Sequence, residues 1–129
     1  MLKRLIPATA LLALTACSDT CANTLVTRVE SPDDRHSAVM FQRDCGAATG
    51  FSTQISVLSA GDKVAGGGNA FRADDDHGAA VAGAWGGPWA ETRWLSKENL
   101  LIRYAGRSRV FEQDDQVSGI RISYEPVGR

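Results

Sequence analysis

The run Ser37-Ala-Val-Met-Phe-Gln-Arg-Asp-Cys45, followed by Phe51-Ser-Thr-Gln-Ile-Ser-Val-Leu58, decides the fold class. In the first run Val39, Phe41, Arg43 and Cys45 share one face, while Ala38, Met40 and Gln42 take the other. In the second, Phe51, Thr53, Ile55 and Val57 oppose Ser52, Gln54 and Ser56. Side chains alternate between two faces in an extended strand, so a period of two in β-branched and aromatic residues reads as β-structure. The pattern recurs outward in both directions. Residues 24–30 set Leu25, Thr27 and Val29 against Val26, Arg28 and Glu30, and Ser31-Pro32-Asp33-Asp34-Arg35 then supplies turn chemistry. Residues 69–72 read as a short strand. Residues 91–95 and 100–104 flank Ser96-Lys97-Glu98-Asn99, the turn of a hairpin. Residues 109–112 and 117–124 flank Gln113-Asp114-Asp115-Gln116, with Ile120, Ile122 and Tyr124 on one face of the last run. The expectation is an all-β domain of about eight strands, built as a small antiparallel sandwich, a barrel or a curved meander.

Glycine marks the interruptions. Ten of the 13 glycines lie between Gly46 and Gly87. Gly66-Gly67-Gly68 and Gly86-Gly87-Pro88 break any regular element, so residues 60–68 and 74–90 are expected to be loops.

The N-terminus is an address. Met1-Leu-Lys-Arg-Leu-Ile-Pro-Ala-Thr-Ala-Leu-Leu-Ala-Leu-Thr-Ala-Cys17 opens with the bases Lys3 and Arg4, then an apolar stretch over 5–14. That stretch is too short to span a bilayer, which takes about 20 apolar residues, and has the layout of a secretory signal. Leu14-Thr15-Ala16-Cys17 resembles the bacterial lipobox. The resemblance implies cleavage before Cys17 and a diacylglycerol on its sulfur. Two or more acyl chains make a stable anchor where one is marginal. The expected organisation is a signal over 1–16, a lipidated stem over 17–23 and one extracytoplasmic domain over 24–129. Parity of the three cysteines agrees. With Cys17 lipidated, Cys21 and Cys45 remain to bridge in an oxidising compartment, whereas cleavage by the ordinary signal peptidase leaves an orphan thiol. The bridge would close a loop of about 25 residues. Metal binding is the other use of two cysteines, but neither CxxC spacing nor a nearby His accompanies them. Expected location is the bacterial cell envelope, facing the periplasm, with Ser18 favouring the outer membrane. Expected partners are the membrane itself and an envelope protein.

Charge and length exclude several classes. The 129 residues allow one domain, and 43% hydrophobic content excludes wholesale disorder. Fourteen Lys and Arg against 15 Asp and Glu exclude a strongly basic nucleic-acid binder. Removing residues 1–16 leaves 12 bases against the same 15 acids, a mildly acidic mature chain.

Ser31-Pro32-Asp33, Ala38-Val39-Met40-Phe41 and then Arg43-Asp44-Cys45-Gly46-Ala47-Ala48-Thr49-Gly50-Phe51-Ser52-Thr53-Gln54-Ile55-Ser56 resemble a widespread group of small bacterial proteins. Members of that group carry an SPDGK-x-x-AVVFxRDCGATTGFSTQVS pattern, often behind a lipoprotein signal. Asp34 stands where the pattern has Gly, and Ala48 where it has Thr. The resemblance implies a β-rich extracytoplasmic domain and the Cys21–Cys45 pairing, and brings no activity with it.

Four clusters could carry chemistry. Arg43, Asp44, Thr49, Ser52 and Gln54 either line a ligand surface or belong to a tight connection locked by the disulfide. In the polar cluster Arg72-Ala73-Asp74-Asp75-Asp76-His77-Gly78 the three carboxylates and the imidazole could hold a hard cation or zinc, although neighbouring carboxylates point to different sides and a solvated acidic loop is the plainer reading. Trp85 and Trp89, with Trp94 close behind, are either a recognition platform or plugs in the core. Arg103, Arg107, Arg109 and Arg121 mix with Glu112, Asp114 and Asp115 and form no basic stripe. Among the histidines, His36 sits in a turn and His77 in the acidic loop. Neither Gly-x-Ser-x-Gly nor a phosphate loop occurs, and Glu91, Glu98, Glu112 and Glu125 are scattered. The sequence therefore names no catalytic residue, metal ligand or cofactor. It points to a non-enzymatic binding or envelope-support module. The alternatives are a periplasmic hydrolase inhibitor or immunity protein, and a hydrolase or metal-binding protein using His77 and Asp74 to Asp76.

Overall fold

The computed structural model describes residues 20–46 and 49–128. Nine strands and no helix occur among them: β1 (Ala22–Glu30), β2 (His36–Asp44), β3 (Ser52–Ser59), β4 (Phe71–Asp74), β5 (Ala90–Ser96), β6 (Asn99–Ala105), β7 (Arg109–Gln113), β8 (Gln116–Val117) and β9 (Ile120–Val127). They form a five-stranded sheet in the order β1-β2-β3-β4-β7 and a four-stranded sheet in the order β5-β6-β9-β8. All pairings are antiparallel except β6–β9, which run parallel from Asn99↔Arg121 to Ala105↔Val127. Neither sheet closes on itself, so the expected all-β class holds as a two-sheet sandwich and not as a barrel.

The two sheets share one core. Ala38, Met40, Ile55, Val57, Phe71 and Ala73 of the larger sheet meet Ala90, Leu100, Ile102, Ile120 and Ile122 of the smaller. Phe71 lies at the centre, its ring 5.2 Å from that of Tyr104 and 6.0 Å from that of Tyr124. Burying one such side chain contributes about 2–3 kcal/mol. The Tyr124 hydroxyl donates to the Asp114 carbonyl at 2.7 Å and lies 3.1 Å from the Ala70 carbonyl, tying β9 to the connections that flank the larger sheet.

Alternation sorts the residues of β2 and β3 onto two faces, and both faces of these strands are covered. Ser37 to Phe41 and Thr53 to Val57 are all buried. The cover is the glycine-rich connection between β3 and β4. Asn23 Nδ2 donates to the Gly66 carbonyl at 2.8 Å and Arg28 Nη1 to the Asp62 carbonyl at 2.7 Å, so the connection crosses the outer face as a strap. It must lie flat on the backbone: a Cβ at Gly68 would stand 2.8 Å from the carbonyl oxygens of both Ile55 and Phe71. Asn69 then imitates a strand residue. Its Oδ1 accepts from Val57 N–H at 2.8 Å and its Nδ2 donates to Val57 C=O at 2.9 Å.

Turn chemistry explains the hairpins. Ser31 is buried, its hydroxyl donating to Asp33 Oδ1 at 2.6 Å and accepting from His36 N–H at 3.0 Å. Asp34 takes φ 57° and supplies the left-handed step of this turn. Lys97 and Glu98 form the two-residue loop between Ser96 and Asn99. The run 117–124, expected as one strand, is broken at Ser118-Gly119. Both residues have positive φ, 51° and 80°, the signature of a tight hairpin turn, so β8 pairs back on β9. Residues 113–116 join strands of different sheets.

Candidate functional site

Strand order brings together residues that lie far apart in sequence. On the outer face, Asn23, Arg43 and Ser52 form one row across β1, β2 and β3, and Phe41, Gln54, Arg72 and Glu112 form another across β2, β3, β4 and β7. Asp74 is opposite Arg109 at the end of the β4–β7 pair. Where these rows leave the strap they open into a cleft of about 590 Å³. One wall carries Arg43, Cys45, Thr49, Ser52 and Gln54; the other carries Arg72, Asp74, Asp75, His77, Arg109 and Phe111. Two of the clusters picked from the sequence, around Arg43 and around His77, therefore face the same space.

Arg43, Arg72, Asp74 and Arg109 are held by partners in the cleft. Arg109 grips Asp74 in a fork, Nε to Oδ1 at 3.1 Å and Nη2 to Oδ2 at 2.5 Å. Its guanidinium carbon lies 5.1 Å from the centre of the exposed Phe111 ring, within cation–π range. Arg72 Nε lies 2.9 Å from Glu112 Oε2 and donates to the Gly68 carbonyl at 2.7 Å, which joins strap and cleft. Arg43 Nη1 donates to Asn23 Oδ1 at 2.8 Å. Burial pushes the Asp74 carboxyl up, but the Arg109 fork, the Asp76 N–H and the charges of Arg109 and His77 outweigh it and hold the group below the usual carboxylate range. Burial instead dominates at Glu112, whose carboxyl is raised, with Arg72 opposing and Asp114 adding to the rise.

The loop beyond β4 bends sharply. Asp76 N–H donates to Asp74 Oδ1 at 2.9 Å, and Asp76, His77 and Gly78 follow with φ of 50°, 57° and 88°. Asp and His tolerate this left-handed step better than most residues, at a cost of about 1–2 kcal/mol each. The step turns His77 toward the cleft.

The remaining residues picked from the sequence have other places. Gln54 is 8% exposed, its Oε1 accepting from Gly68 N–H at 2.7 Å and its Nε2 donating to Ser52 at 3.0 Å, so it anchors the strap at the cleft floor. Asp44 lies beside the cleft, in a shallower depression with Gly46, Thr49 and Phe51. Trp85 packs against the core; its Nε1 donates to Thr53 Oγ1 at 2.8 Å and its carbonyl accepts from Gln42 Nε2. Trp89 lines a separate apolar groove of about 420 Å³ with Val81, Ala105 and Val127. Trp94 donates from Nε1 to the Val29 carbonyl at 2.9 Å. The three tryptophans thus make no common platform. His36 begins β2 at the opposite end of the sheet from His77. Among the described residues no group of three or more His, Cys, Asp or Glu is placed to hold a metal ion. Cys21 and Cys45 form a disulfide with Cα atoms 4.0 Å apart. The register explains it: Ala22 faces Asp44, so the cysteines oppose each other one step further on. Cys17 lies outside the described residues.

Sequence reasoning included Arg72 in the polar cluster without giving it a role, and did not assign Arg109 and Phe111 to the site. Arg72 and Asp74 alternate onto one face of β4, a usable signal, but pairing of β4 with β7 rests on long-range contacts. No protein-family model matches the chain, and no curated protein or solved structure matches it either.

Proposed function

We propose that this protein is a lipid-anchored, extracytoplasmic binding module of the bacterial envelope, with the charged cleft as its recognition site. The observation that carries the reading is the Cys21–Cys45 disulfide, which uses two of the three cysteines, suits an exported chain and leaves Cys17 for the lipid. The first described strand begins at Ala22, five residues after Cys17. The cleft supports recognition over catalysis. Its best-placed carboxylate, Asp74, is locked in an ion pair and held ionised, which suits a fixed contact and not a group that must exchange a proton near neutral pH. A cleft with fixed charges of both signs beside an exposed Phe111 fits a ligand that carries opposite charges and an apolar part. The inhibitor reading calls for a projecting loop over 74–90. The later part of that segment is tied to the sheet, with a bridge between Ala82 and Pro88 and with the Pro88 carbonyl accepting from Thr53 Oγ1 at 2.6 Å, so that its exposed residues concentrate in 76–84.

Metabolic labelling with palmitate tests the anchor. Label enters the wild-type chain and is lost in Cys17→Ser; an unlabelled wild-type chain, or a labelled variant, overturns the reading. For the cleft, envelope extracts are titrated into the isotopically labelled mature domain and followed by NMR. Binding is expected to move resonances of Thr49, His77 and Arg109, with the shifts lost in Arg109→Ala.

A further inference from the structure

Every connection at the disulfide end of the sandwich can be read from the register. Ala22 faces Asp44, Arg43 faces Ser52, Asp74 faces Arg109, and Ala105 faces Val127. Cys21, Thr49 to Phe51, residues 75–89 and residues 106–108 therefore share one end. The smaller sheet is brought to it by Gln42 on the Trp85 carbonyl, Thr53 on the Pro88 carbonyl and Phe51 against Gly86. The opposite end carries residues 31–35, 97–98, 114–115 and 118–119.

Part of the disulfide end is uncharged and apolar. From Gly78 to Ala90 no residue is charged, and this segment exposes Ala79, Val81, Ala82 and Ala84. Val81 is 45% exposed and the neighbouring Phe51 41%. The tips of the opposite end carry Asp33, Asp34, Arg35, Lys97, Glu98, Asp114 and Asp115. Chain length then sets the orientation. Cys17 and Cys21 are four residues apart, a reach of at most about 14 Å. A nine-residue strand such as β2 is about 30 Å long. An anchored Cys17 thus holds the disulfide end, with its uncharged segment 78–90, at the bilayer, while the opposite end of an upright domain stands well beyond the headgroup layer.

We infer that the disulfide end is the membrane-contacting end of the molecule, and that Phe51 and the segment 79–84 dip into the headgroup layer of the bilayer that holds the anchor. The inference rests on lipidation of Cys17. The contact is apolar, not electrostatic: Arg43, Arg107 and Arg109 at this end are outnumbered by Asp44, Asp74, Asp75 and Asp76. It places the cleft mouth, lined by Thr49, Gly50 and Gly78, at the bilayer surface.

The test is hydrogen exchange on the full mature lipoprotein in phosphatidylethanolamine–phosphatidylglycerol vesicles, against its lipid-free Cys17→Ala form in solution. Exchange is expected to slow about tenfold or more in 78–87 and at Phe51, and to stay unchanged in 31–35, 97–98 and 114–119. In a Phe51→Ser/Val81→Ser variant that remains anchored, the slowing is lost. Slowing along β1 instead, as for a domain lying on its β1 edge, overturns the inference, as does an anchored protein that shows no slowing. A mature N-terminal peptide whose mass lacks the acyl groups overturns the lipoprotein reading and this inference together.

Discussion

Asp34 shows how much a single φ can carry. The turn that reverses β1 into β2 needs a left-handed residue there, and an aspartate fills a role that glycine fills more cheaply. Asp34→Gly is expected to raise stability by about 0.5–1 kcal/mol and Asp34→Val to lower it by about 1–2 kcal/mol, both measured by chemical denaturation. Asn69 is the second such residue, because its amide satisfies a backbone N–H and C=O that no strand reaches. Asn69→Ala leaves both without their partner and is expected to cost about 2–3 kcal/mol in the same assay. Neither role was legible beforehand. The sequence marked 31–35 as a turn, but which residue takes the positive φ depends on hairpin register, and Asn69 acquires its role only once the strap has crossed the sheet. Gln54 is the same lesson in reverse. Its alternation set it on the face opposite Thr53 and Ile55, and that face lies under the strap.

Strands were legible as elements because half-buried β-structure writes a period of two. The misreading over 117–124 has a local cause, since Ser118-Gly119 is a turn dipeptide set inside an otherwise alternating run. The cleft was not legible, because it forms where β2, β3, β4 and β7 lie side by side, and that order is a product of long-range pairing. Two predictions belong to this level. The paired change Cys21→Ser/Cys45→Ser frees the open end of the β1–β2 hairpin and is expected to cost about 2–4 kcal/mol, read as a lower denaturation midpoint that matches the wild type under reductant. The Asp74–Arg109 fork clamps β4 to β7. Asp74 titrates below its unfolded value, so its contribution is present above pH of about 4 and is lost as pH falls through the folded value. Asp74→Asn should therefore lower stability at neutral pH and flatten the acid limb of the stability–pH curve.

At the scale of the whole molecule, Tyr124 ties the sheets together through the carbonyls of Asp114 and Ala70. Burial, then the carboxylates of Asp114, Asp115 and Glu112, push its hydroxyl well above the ordinary tyrosine range. A group raised in the folded state contributes below its unfolded pKa, so stability should decline as pH rises above about 10. Tyr124→Phe is expected to be less stable at neutral pH and to lose less on going alkaline, as thermal unfolding at graded pH would show. Threading of the chain has a wider consequence. Between the parallel neighbours β6 and β9 it leaves for the other sheet to lay down β7, then returns. A nick within 106–108 should thus yield two fragments that are unfolded apart and recover the fold only when mixed. During synthesis of the chain, neither sheet is complete until residues 109–127 have been added. Until then, the Cys21–Cys45 bridge is the one covalent cross-link among the described residues that can hold the emerging N-terminal half to its eventual shape.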